Sequence, residues 1–327
     1  MIYIHLPEKT THKLSFYLAM EEHIARHLNT GDDCFFMWQV HPSVIFGRNQ
    51  LIGKEVNLPY CQEHGIQIYR RKSGGGCVYA DMSNVMFSYI TRDENVNLTF
   101  NSYLNMVVSV LAELGIEAYA SGRNDILIGD RKVSGNAFYH IPGHSIVHGT
   151  MLYDTDMKNM VGAITPSDEK LVSKGVESVR QHITLLKDHT DITLSEFMEF
   201  VKKKLCQSEY RLQDNDIRSI EEIEREYLSD DFVYGNNPRY TVCKRHHMDG
   251  VGDFEIRMEL KRGTIRNINL MGDYFLVGDI DNRLLKPLKG IPLDADSISN
   301  ALPDRLDDII LNLNKEQFIY LLSHDGK

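Results

Sequence analysis

At 327 residues, 42% of them hydrophobic, the chain is too long for one comfortable core and is expected to form two globular domains. Its formal net charge of −10 at pH 7 argues against nucleic-acid binding, because general contact with phosphates needs Lys and Arg to outnumber acids over a surface. No stretch is apolar for long enough to span a bilayer, so we expect no membrane association.

The first part of the chain alternates between helical and strand-like patterns. Residues 12–29 carry apolar side chains at helical spacing and end before Thr30-Gly31, which is a reasonable helix stop. DCFFMWQV and SVIFGR predict two tightly joined strands. A short helix is expected from Pro59 to Gly65, after which IQIYR, CVYAD and NVMFSYIT predict further strands of the same sheet.

The pattern then changes twice. A long helix is predicted over residues 100–115, followed by strands in IEAYA, NDILIGDRKVSGNAFYHI and HSIVHGTMLYDT, with a turn at Gly129-Asp130. LSEFMEFVKKKL and IRSIEEIEREYL predict charged helices, and YGNNPRY predicts a break. A hairpin around Arg262-Gly263 and two terminal helices then indicate a second domain. We expect residues 1–243 to form the first domain and residues 244–327 the second.

A glycine run raises the first functional question. RRKSGGGCVYAD, residues 70–81, places two arginines and a lysine before three consecutive glycines, which together cost about 2 kcal/mol of conformational entropy unless something compensates. Bare backbone suits an anion that must approach main-chain N–H groups, and Arg70, Arg71 and Lys72 add positive charge beside it. A glycine-rich hairpin or bulge with solvent-facing arginines fits the run equally well.

Cys77 is the candidate nucleophile, since it follows the glycines and nearby arginines would favour its thiolate. We favour a small buried residue that joins the loop to the next strand. The sequence contains no G-x-x-x-x-G-K-[ST], no complete G-x-G-x-x-G, no H-E-x-x-H and no G-x-S-x-G. Standard nucleotide-binding folds are therefore not supported.

A lysine in an unusual setting marks a second stretch. GRNDILIGDRKVSGNA, residues 122–137, combines Asn124 and Asp125 with Lys132 in an otherwise apolar and small-residue strand. If that strand faces a pocket, Lys132 can neutralise a carboxylate and a phosphate at once. Taken alone, however, the stretch favours an exposed lysine in a hairpin.

Three histidines form the third pattern. His140, His144 and His148 recur every fourth residue, and on a helix this spacing would align three metal ligands. The intervening Pro-Gly pair breaks any such helix. We therefore expect a strand with His148 and Thr150 on one face in preference to a zinc site.

Cysteine usage and the N-terminus bear on location. Five cysteines with no C-x-x-C pair are typical of reduced thiols in a cytoplasm. MIYIHLPEKTTHKL lacks the basic start and long apolar core of a signal peptide. The sequence predicts a cytoplasmic protein, and we take a monomer as the default.

Taken together, the stretches are more specific than any one of them. RRKSGGGCVYAD, GRND followed by DRKVSGNA, and HGTMLYDTDM with KGVESVRQHIT resemble the lipoate-protein ligase family, in the family's order. The resemblance covers about residues 1–190 and continues more weakly to the C-terminus. It implies an α/β (α+β) fold: a biotin/lipoate-ligase-like catalytic domain with a mixed, largely antiparallel sheet, and a small α+β C-terminal accessory domain.

The resemblance also implies a two-step reaction. Lipoate or octanoate would attack ATP to give an acyl adenylate, lipoyl-AMP in the first case, and a specific lysine of a carrier protein would then attack that adenylate. The implied requirements are ATP, Mg²⁺ and lipoate. The implied acceptors are lipoyl carrier proteins, namely the glycine-cleavage H protein and the lipoyl domains of 2-oxoacid dehydrogenase acyltransferase subunits.

Carried over by position, the resemblance makes Lys132 the catalytic residue, which would stabilise charge during adenylation and then polarise the carbonyl. Asn124 and Asp125 fall where the family contacts the nucleotide and its magnesium, which makes Asp125 the candidate Mg²⁺ ligand. The remaining lipoate- and adenylate-binding residues would be Arg71, Ser73, Gly74, Gly75, Gly76, Val78, Tyr79, Ser134, Gly135, Asn136, His148, Gly149 and Thr150.

Three alternatives remain open. An ATP-independent acyl transferase of the same fold would use a cysteine nucleophile, but EAYASGRND and TMLYDTDMKNMVGAITPSDEK contain none. A non-catalytic protein could bind lipoyl-adenylate or a carrier, although the intact Lys132 argues against that. A biotin ligase is the third alternative, although the glycine loop and SGNA resemble the lipoate branch. Ala80 and Val147 stand where many members carry histidine, which leaves the surroundings of the pocket less certain than its lysine.

Overall fold

The computed structural model describes residues 1–93, 95–121, 124–164, 182–234 and 242–324. The predicted break YGNNPRY after Tyr234 and most of KGVESVRQHIT lie outside these residues, as does Gly122. Within the described part of the chain, no helix combines the length and the apolar character needed to cross a bilayer.

Strands dominate the architecture. In chain order they are β1 (Ile2–His5), β2 (Cys34–Trp38), β3 (Ser43–Phe46), β4 (Gln67–Arg70), β5 (Val78–Ala80), β6 (Val85–Thr91), β7 (Ala118–Ala120), β8 (Asp125–Ile128), β9 (Arg131–Ile141), β10 (His144–Met151), β11 (Ser208–Arg211), β12 (Val242–Met248), β13 (Gly252–Lys261) and β14 (Thr264–Tyr274).

Helices cover and connect the strands. They are α1 (Leu14–His27), α2 (Ile52–Glu55), α3 (Leu58–Glu63), α4 (Val96–Glu113), α5 (Met157–Ile164), α6 (Leu194–Leu205), α7 (Asp214–Tyr227), α8 (Asp230–Tyr234), α9 (Ala295–Ala301) and α10 (Lys315–Ser323), with a 3-10 turn at Leu186–His189 and a π-helical turn at Asp281–Leu285. Helix α4 starts earlier than the predicted residue 100, because the Asn95 side chain accepts a hydrogen bond from the Leu98 N–H and caps the first turn.

The main sheet is mixed and largely antiparallel, in the order β11-β1-β2-β6-β10-β9-β8-β7. Its two parallel pairings involve β1, while β6, β10, β9, β8 and β7 pair antiparallel in succession. The predicted turn at Gly129-Asp130 joins β8 to β9, and Gly129 has the positive φ of +57° that suits glycine. The predicted fold class is confirmed.

Helices pack on both faces of this sheet. On β2, Phe36 and Trp38 face one core with α1 and α7, while Phe35 faces another core with α4 and α6. This alternation follows the two-residue period of a strand. Each face of the sheet therefore packs against its own pair of helices. Helix α1 lies directly beside β6 and β10, where the site lies.

The small sheet corrects one prediction. β3 and β5 do not continue the main sheet; β3 instead pairs in parallel with β4 and antiparallel with β5 in a separate three-stranded sheet. The turn at His41-Pro42 redirects the chain between β2 and β3, and Pro42 fixes its own φ there. The polypeptide between β4 and β5, which contains the glycine run, lies against the central strands of the main sheet, where Ser73 contacts His148 of β10.

The C-terminal unit is an antiparallel sheet, β12-β13-β14, with its own apolar core that includes residues of α9 and α10. The predicted hairpin is confirmed: Arg262 and Gly263 both have positive φ, +54° and +77°. This is the geometry of a tight two-residue turn, in which a non-glycine residue is strained. The predicted domain boundary after residue 243 stays a prediction, and β12 begins at Val242.

Polar contacts join the C-terminal unit to the rest of the chain. The Gly272 N–H donates to the Asn49 carbonyl at 2.8 Å, and Arg48 pairs with Asp281 at 2.7 Å. Lys54 of α2 pairs with Glu255 of β13. Burial alone would raise the pKa of Glu255, but hydrogen bonds from Lys54 and from Arg257 and Arg245 outweigh it and lower that pKa to about 2.

Candidate active site

A cavity of about 320 Å³ lies among the glycine loop (residues 71–77), helix α1, and strands β8, β9 and β10. Its lining combines apolar side chains with charged and amide groups, an arrangement typical of small-molecule sites. The lining residues are Leu18, Trp38, Ile45, Arg71, Gly75, Gly76, Cys77, Val78, Met86, Ser121, Asn124, Asp125, Lys132, Gly135, Asn136, Ala137, His148, Gly149, Thr150 and Asp273.

The structure brings most of the residues singled out from the sequence to this cavity. Of the residues predicted to be catalytic or to bind lipoate and the adenylate, four do not line it: Ser73, Gly74, Tyr79 and Ser134. Val78 and Tyr79 alternate across β5, so Val78 faces the cavity while Tyr79 packs with Phe46 and Met160 in a separate core. The expected contact of Tyr79 with an acyl chain is therefore not supported.

Arg71 holds the glycine loop in shape. Its guanidinium donates to the carbonyl of Gly74 from Nη2 at 2.6 Å, to that of Gly76 at 2.7 Å and to that of Ile45 at 3.2 Å. Burial lowers the pKa of Arg71 to about 10. Arg71 thus lines the cavity, but most of its N–H donors already bind backbone carbonyls. Few of them are left to bind a ligand.

Arg70 and Lys72 also have structural partners. The Arg70 guanidinium donates to the carbonyls of Val233, Arg48 and Gln50, the last two at 2.6 and 3.0 Å. Lys72 lies 2.6 Å from Glu22 of α1 and 2.6 Å from Glu226 of α7. The expectation that both residues add charge beside an anion is therefore corrected: they anchor the loop to its surroundings.

Bare backbone is required on two sides of the loop. A Cβ on Gly74 would lie 2.2 Å from the Tyr274 carbonyl oxygen of β14, and Gly75 donates its N–H to the same oxygen at 3.2 Å. Gly75 has φ of +86°, and its own carbonyl oxygen would lie 2.2 Å from a Cβ on Gly47. Gly74 thus admits the C-terminal unit on one side of the loop, and Gly47 admits the Gly75 carbonyl on another, while Gly75 and Gly76 line the cavity.

Lys132 projects from β9 beside Asp125 of β8. Its Nζ lies 2.8 Å from Asp125 Oδ1, and both side chains remain partly exposed. A Cβ on Gly135 would lie 2.7 Å from both Cε and Nζ of Lys132, so the absence of a side chain there gives the lysine its path into the cavity. An irregular register between Ile126 and Leu127 in β8 accompanies this pairing.

Two asparagines fix the neighbouring wall. Asn136 donates from Nδ2 to the Asn124 carbonyl at 3.0 Å, and Asn124 donates from Nδ2 to the Asn136 carbonyl at 3.1 Å. Ser134 donates to Asn136 Oδ1 at 3.4 Å. A Cβ on Gly149 would lie 1.9 Å from that same Oδ1, so Gly149 makes room for the asparagine. Ser134 therefore supports the wall without reaching the cavity.

His148 belongs to a buried hydrogen-bond chain that the sequence did not reveal. Its Nε2 lies 2.7 Å from Ser73 Oγ, and its Nδ1 donates to Glu21 Oε2 at 2.9 Å. Glu21, which is fully buried in α1, also accepts from Ser88 at 2.5 Å, and Ser88 accepts from Trp38 Nε1 at 2.8 Å. This chain links the glycine loop to β2, and Ser73 takes part in it without lining the cavity.

His148 and Thr150 lie on β10 and both reach the cavity, which confirms the predicted strand. Cys77 lines it too. Burial and the nearby Glu55 raise the pKa of the Cys77 thiol, although Arg71 opposes them. A protonated thiol is a poor nucleophile. The preference for a small joining residue is therefore supported.

The apolar lining was mostly missed from the sequence. Leu18, Trp38, Ile45, Met86 and Ala137 come from separate elements, and their patterns only indicated core positions. A signal for Glu21 was present: a carboxylate within the apolar part of a helix is unusual unless it has a buried partner. Asp273, from the C-terminal unit, had no sequence signal.

Two family models match the chain. The one described as "Lipoyl protein ligase A/B catalytic domain" matches residues 13–206, and the one described as "Bacterial lipoate protein ligase C-terminus" matches residues 237–322. Among curated proteins, the chain is 33% identical over 319 residues to "Lipoate-protein ligase LplJ" of Bacillus subtilis, covering 93% of this chain and 95% of that protein. It is 33% identical over 315 residues to "Lipoate--protein ligase 1" of Staphylococcus aureus, covering 94% and 95%.

Solved structures agree in fold. P. falciparum LipL1 in complex with lipoate superposes with a TM-score of 0.76 at 21% identity, covering 98% of both chains. A bipartite lipoate protein ligase from Thermoplasma acidophilum, studied with its E2 lipoyl domain, superposes with a TM-score of 0.65 at 25% identity, covering 74% of this chain and 98% of the other. A lipoate-protein ligase A bound with ATP gives 0.59 at 23% identity, covering 72% and 97%.

Proposed function

The chain belongs to the lipoate-protein ligase family, and we propose that it activates lipoate with ATP and transfers the lipoyl group to a lysine of a carrier protein. The observation that carries this proposal is the position of Lys132. Lys132, a cationic side chain with an acidic neighbour, projects into a cavity whose lining combines apolar side chains, amides and bare glycine backbone with a few other charged and polar groups. Such a cavity can hold an acyl chain at one end and an anionic reacting centre at the other.

In the proposed first step, the lipoate carboxylate attacks the α-phosphorus of ATP and pyrophosphate leaves. Lys132 Nζ, now 2.8 Å from Asp125, contacts the carboxylate and the α-phosphate, and so stabilises the charge that builds on the phosphate oxygens. Asn124 and Asp125 contact the nucleotide in this proposal. The paired amides of Asn124 and Asn136 keep that wall rigid, so little reorganisation is needed when the substrate arrives.

Mg²⁺ is part of the proposal through Asp125. Among the described residues, no group of three or more His, Cys, Asp and Glu side chains could hold a metal ion. A single carboxylate is nevertheless enough for Mg²⁺, which often binds through one or two carboxylates together with substrate phosphates. The ion would supply charge neutralisation on the phosphates.

In the proposed second step, the acceptor lysine attacks the carbonyl carbon of lipoyl-AMP and AMP leaves. Lys132 polarises the carbonyl and stabilises the departing phosphate. Apolar side chains such as Trp38 and Met86 bind the acyl chain in this proposal. Each buried methylene contributes only about 0.8 kcal/mol, so any sharp preference for chain length must come from the limited space of the cavity. Keeping water from the adenylate protects it from hydrolysis.

The acceptors we propose are lipoyl carrier proteins, such as the glycine-cleavage H protein and the lipoyl domains of 2-oxoacid dehydrogenases. A complete reaction with ATP, Mg²⁺, lipoate and an apo lipoyl domain tests the proposal. We expect one AMP and one pyrophosphate for each lipoylated acceptor, no product without ATP, and no product with biotin in place of lipoate. Acyl transfer from an octanoylated carrier without ATP would instead identify the transferase alternative.

A further inference from the structure

Glu21 of helix α1 is a buried carboxylate that the proposed reaction does not use. The side chain is fully buried and does not line the cavity. A carboxylate is costly to bury unless hydrogen bonds satisfy it, and an apolar residue would pack at such a position at lower cost. Its two oxygens each have a partner: Oε1 accepts from Ser88 Oγ at 2.5 Å, and Oε2 accepts from His148 Nδ1 at 2.9 Å. These two contacts connect Glu21 to two different walls of the cavity.

The first connection, called the indole branch, runs from Glu21 through Ser88 to Trp38. Ser88 is fully buried in β6, directly opposite Phe36 of β2. Its hydroxyl donates its hydrogen to Glu21 and accepts the Trp38 Nε1–H at 2.8 Å. An indole N–H can only donate, so it needs an acceptor whose own hydrogen points elsewhere. The Glu21 carboxylate binds the Ser88 hydrogen and thereby leaves the hydroxyl oxygen to accept from the indole.

Helix α1 also contacts the face of the same indole. The ring of Tyr17 stacks on Trp38 with centroids 4.8 Å apart and an interplanar angle of 16°. Trp38 is buried, and it lines the cavity together with Met86. Tyr17 therefore supports the face of the ring, while Glu21 acts through Ser88 on its N–H edge. Together these contacts fix an apolar wall of the cavity.

The second connection, called the loop branch, runs from Glu21 through His148 to Ser73 of the glycine loop. Ser73 Oγ lies 2.7 Å from His148 Nε2. Lys72, the residue before Ser73, pairs at 2.6 Å with Glu22, which follows Glu21 on α1. Helix α1 therefore holds the glycine loop at two adjacent positions, just before the glycines that line the cavity.

We propose that Glu21 is a positioning residue of the ligase site, which keeps the Trp38 indole ordered through the indole branch and the glycine loop ordered through the loop branch. This inference rests on the proposed ligase function. A side chain that is already ordered costs the ligand nothing, whereas each side chain that the ligand must immobilise weakens binding about 2- to 12-fold. The indole branch thus acts on lipoate, whose acyl chain lies against Trp38, and the loop branch acts on the adenylate that the glycine loop contacts.

The test compares variants of the full-length protein. Ser88→Ala breaks the indole branch alone, because Glu21 still accepts from His148. Glu21→Met keeps the length of the side chain and removes both acceptor oxygens, so it breaks both branches. Ser145→Ala is the matched control: Ser145 is also a buried serine of the main sheet, its Oγ donates to the Asp93 carbonyl at 2.8 Å, and it does not line the cavity.

Three quantities are measured: the KM for lipoate, the KM for ATP, and the NMR signal of the indole N–H. Trp38 is the only tryptophan of the chain, so an isotope-labelled protein gives one indole signal. The chemical shift of this signal and its exchange with water report the hydrogen bond from Trp38 to Ser88 directly. Thermal unfolding is recorded beside them, because the loss of a buried hydrogen bond should lower the Tm of Ser145→Ala as well.

For Ser88→Ala we expect the KM for lipoate to rise about 2- to 12-fold, the KM for ATP and kcat to stay within about twofold, and the indole N–H to exchange faster with water. Glu21→Met should raise both KM values. Ser145→Ala should lower the Tm and change neither KM. In a Trp38→Phe background, which lacks the indole N–H, Ser88→Ala should raise the KM for lipoate no further.

A wild-type KM for lipoate in Ser88→Ala would overturn the inference, as would a further rise of that KM in the Trp38→Phe background. An unchanged KM for ATP in Glu21→Met would do the same. If Ser88→Ala does not fold, Ser88→Cys takes its place, because a thiol is only a weak hydrogen-bond partner. If the wild type does not activate lipoate, the proposed function fails and the indole signal decides the positioning role. An unaltered signal in Ser88→Ala and Glu21→Met then overturns that role, and a changed signal supports it.

Discussion

Gly74→Ala tests whether the glycine run exists to admit the C-terminal unit. The new Cβ would lie 2.2 Å from the backbone oxygen of Tyr274, and a backbone atom cannot rotate away as a side chain can. The two segments must separate by about 1 Å, and overpacking of this kind costs about 1–3 kcal/mol. Loss of the hydrogen bond from Gly75 to the same oxygen adds about 1 kcal/mol, so we expect a destabilisation of about 2–4 kcal/mol.

Thermal unfolding measures the effect. For a domain of this size, the expected loss corresponds to a fall in Tm of about 4–16 °C. Hydrogen exchange should also show faster exchange of the Gly75 amide, because its acceptor oxygen moves away. Gly53→Ala is the matched control: no atom lies within 4 Å of its Cβ, and alanine favours the helix, so stability should hold or rise. A Gly74→Ala protein that has the same Tm as the wild type and retains slow hydrogen exchange of the Gly75 amide would refute this reasoning.

Three further predictions concern the turn, the interface and the thiol. Arg262→Asn should raise Tm slightly, by relieving about 1 kcal/mol of strain at φ +54°; a lower Tm would contradict this. Glu255→Gln should unfold more easily than wild type at pH 7 in denaturant titrations. The pKa of Glu255 in the folded protein is lowered to about 2, so the difference in free energy of unfolding between wild type and Glu255→Gln should narrow as pH falls below about 4. A difference that stays constant with pH would contradict this prediction. Cys77→Ala should keep ligase activity, and mass spectrometry should show iodoacetamide labelling Cys77 more slowly than the exposed Cys243 at pH 8; trapped acyl-Cys77 would contradict this.

Features that depend on residues close together in the sequence could be predicted from it. Gly129-Asp130 and Arg262-Gly263 predicted turns because the backbone demands of a tight turn fall on adjacent residues. Lys132 was notable because a lysine in an apolar strand needs a nearby partner, and Asp125 is only seven residues away. The strand around His148 likewise followed from a local feature, the Pro142-Gly143 pair that breaks any helix through the three histidines.

Contacts between distant segments could not be predicted in this way. Arg70 and Arg71 suggested an anion site because their positive charge is visible in the sequence. The sequence does not show that backbone carbonyls accept hydrogen bonds from both guanidinium groups. Glu21 and Ser73 meet His148 only after α1, the loop and β10 have packed together. Asp273 reaches the cavity from about two hundred residues further along the chain, through backbone contacts of β14 that side-chain patterns do not encode.

The separation of β3 from β2 has a similar cause. Both stretches have strand-like composition. Strand propensity shows which residues suit a pleated surface, but it does not show which strand will be the pairing partner. The choice of partner depends on where the chain is redirected at His41-Pro42 and on the packing beneath β4 and β5. This arrangement sets the position of the glycine loop, so the loop's composition was predictable and its neighbours were not.

Lipoate-dependent exchange of labelled pyrophosphate into ATP, with Mg²⁺ and no acceptor protein, tests the central claim most directly. We expect exchange by the wild type, and none by Lys132→Ala with an unchanged far-UV circular dichroism spectrum and Tm, because the variant lacks the charge that stabilises adenylation. Normal exchange by Lys132→Ala would contradict the role of this lysine. No exchange by the wild type, together with acyl transfer from a lipoylated carrier, would contradict the ligase reaction itself.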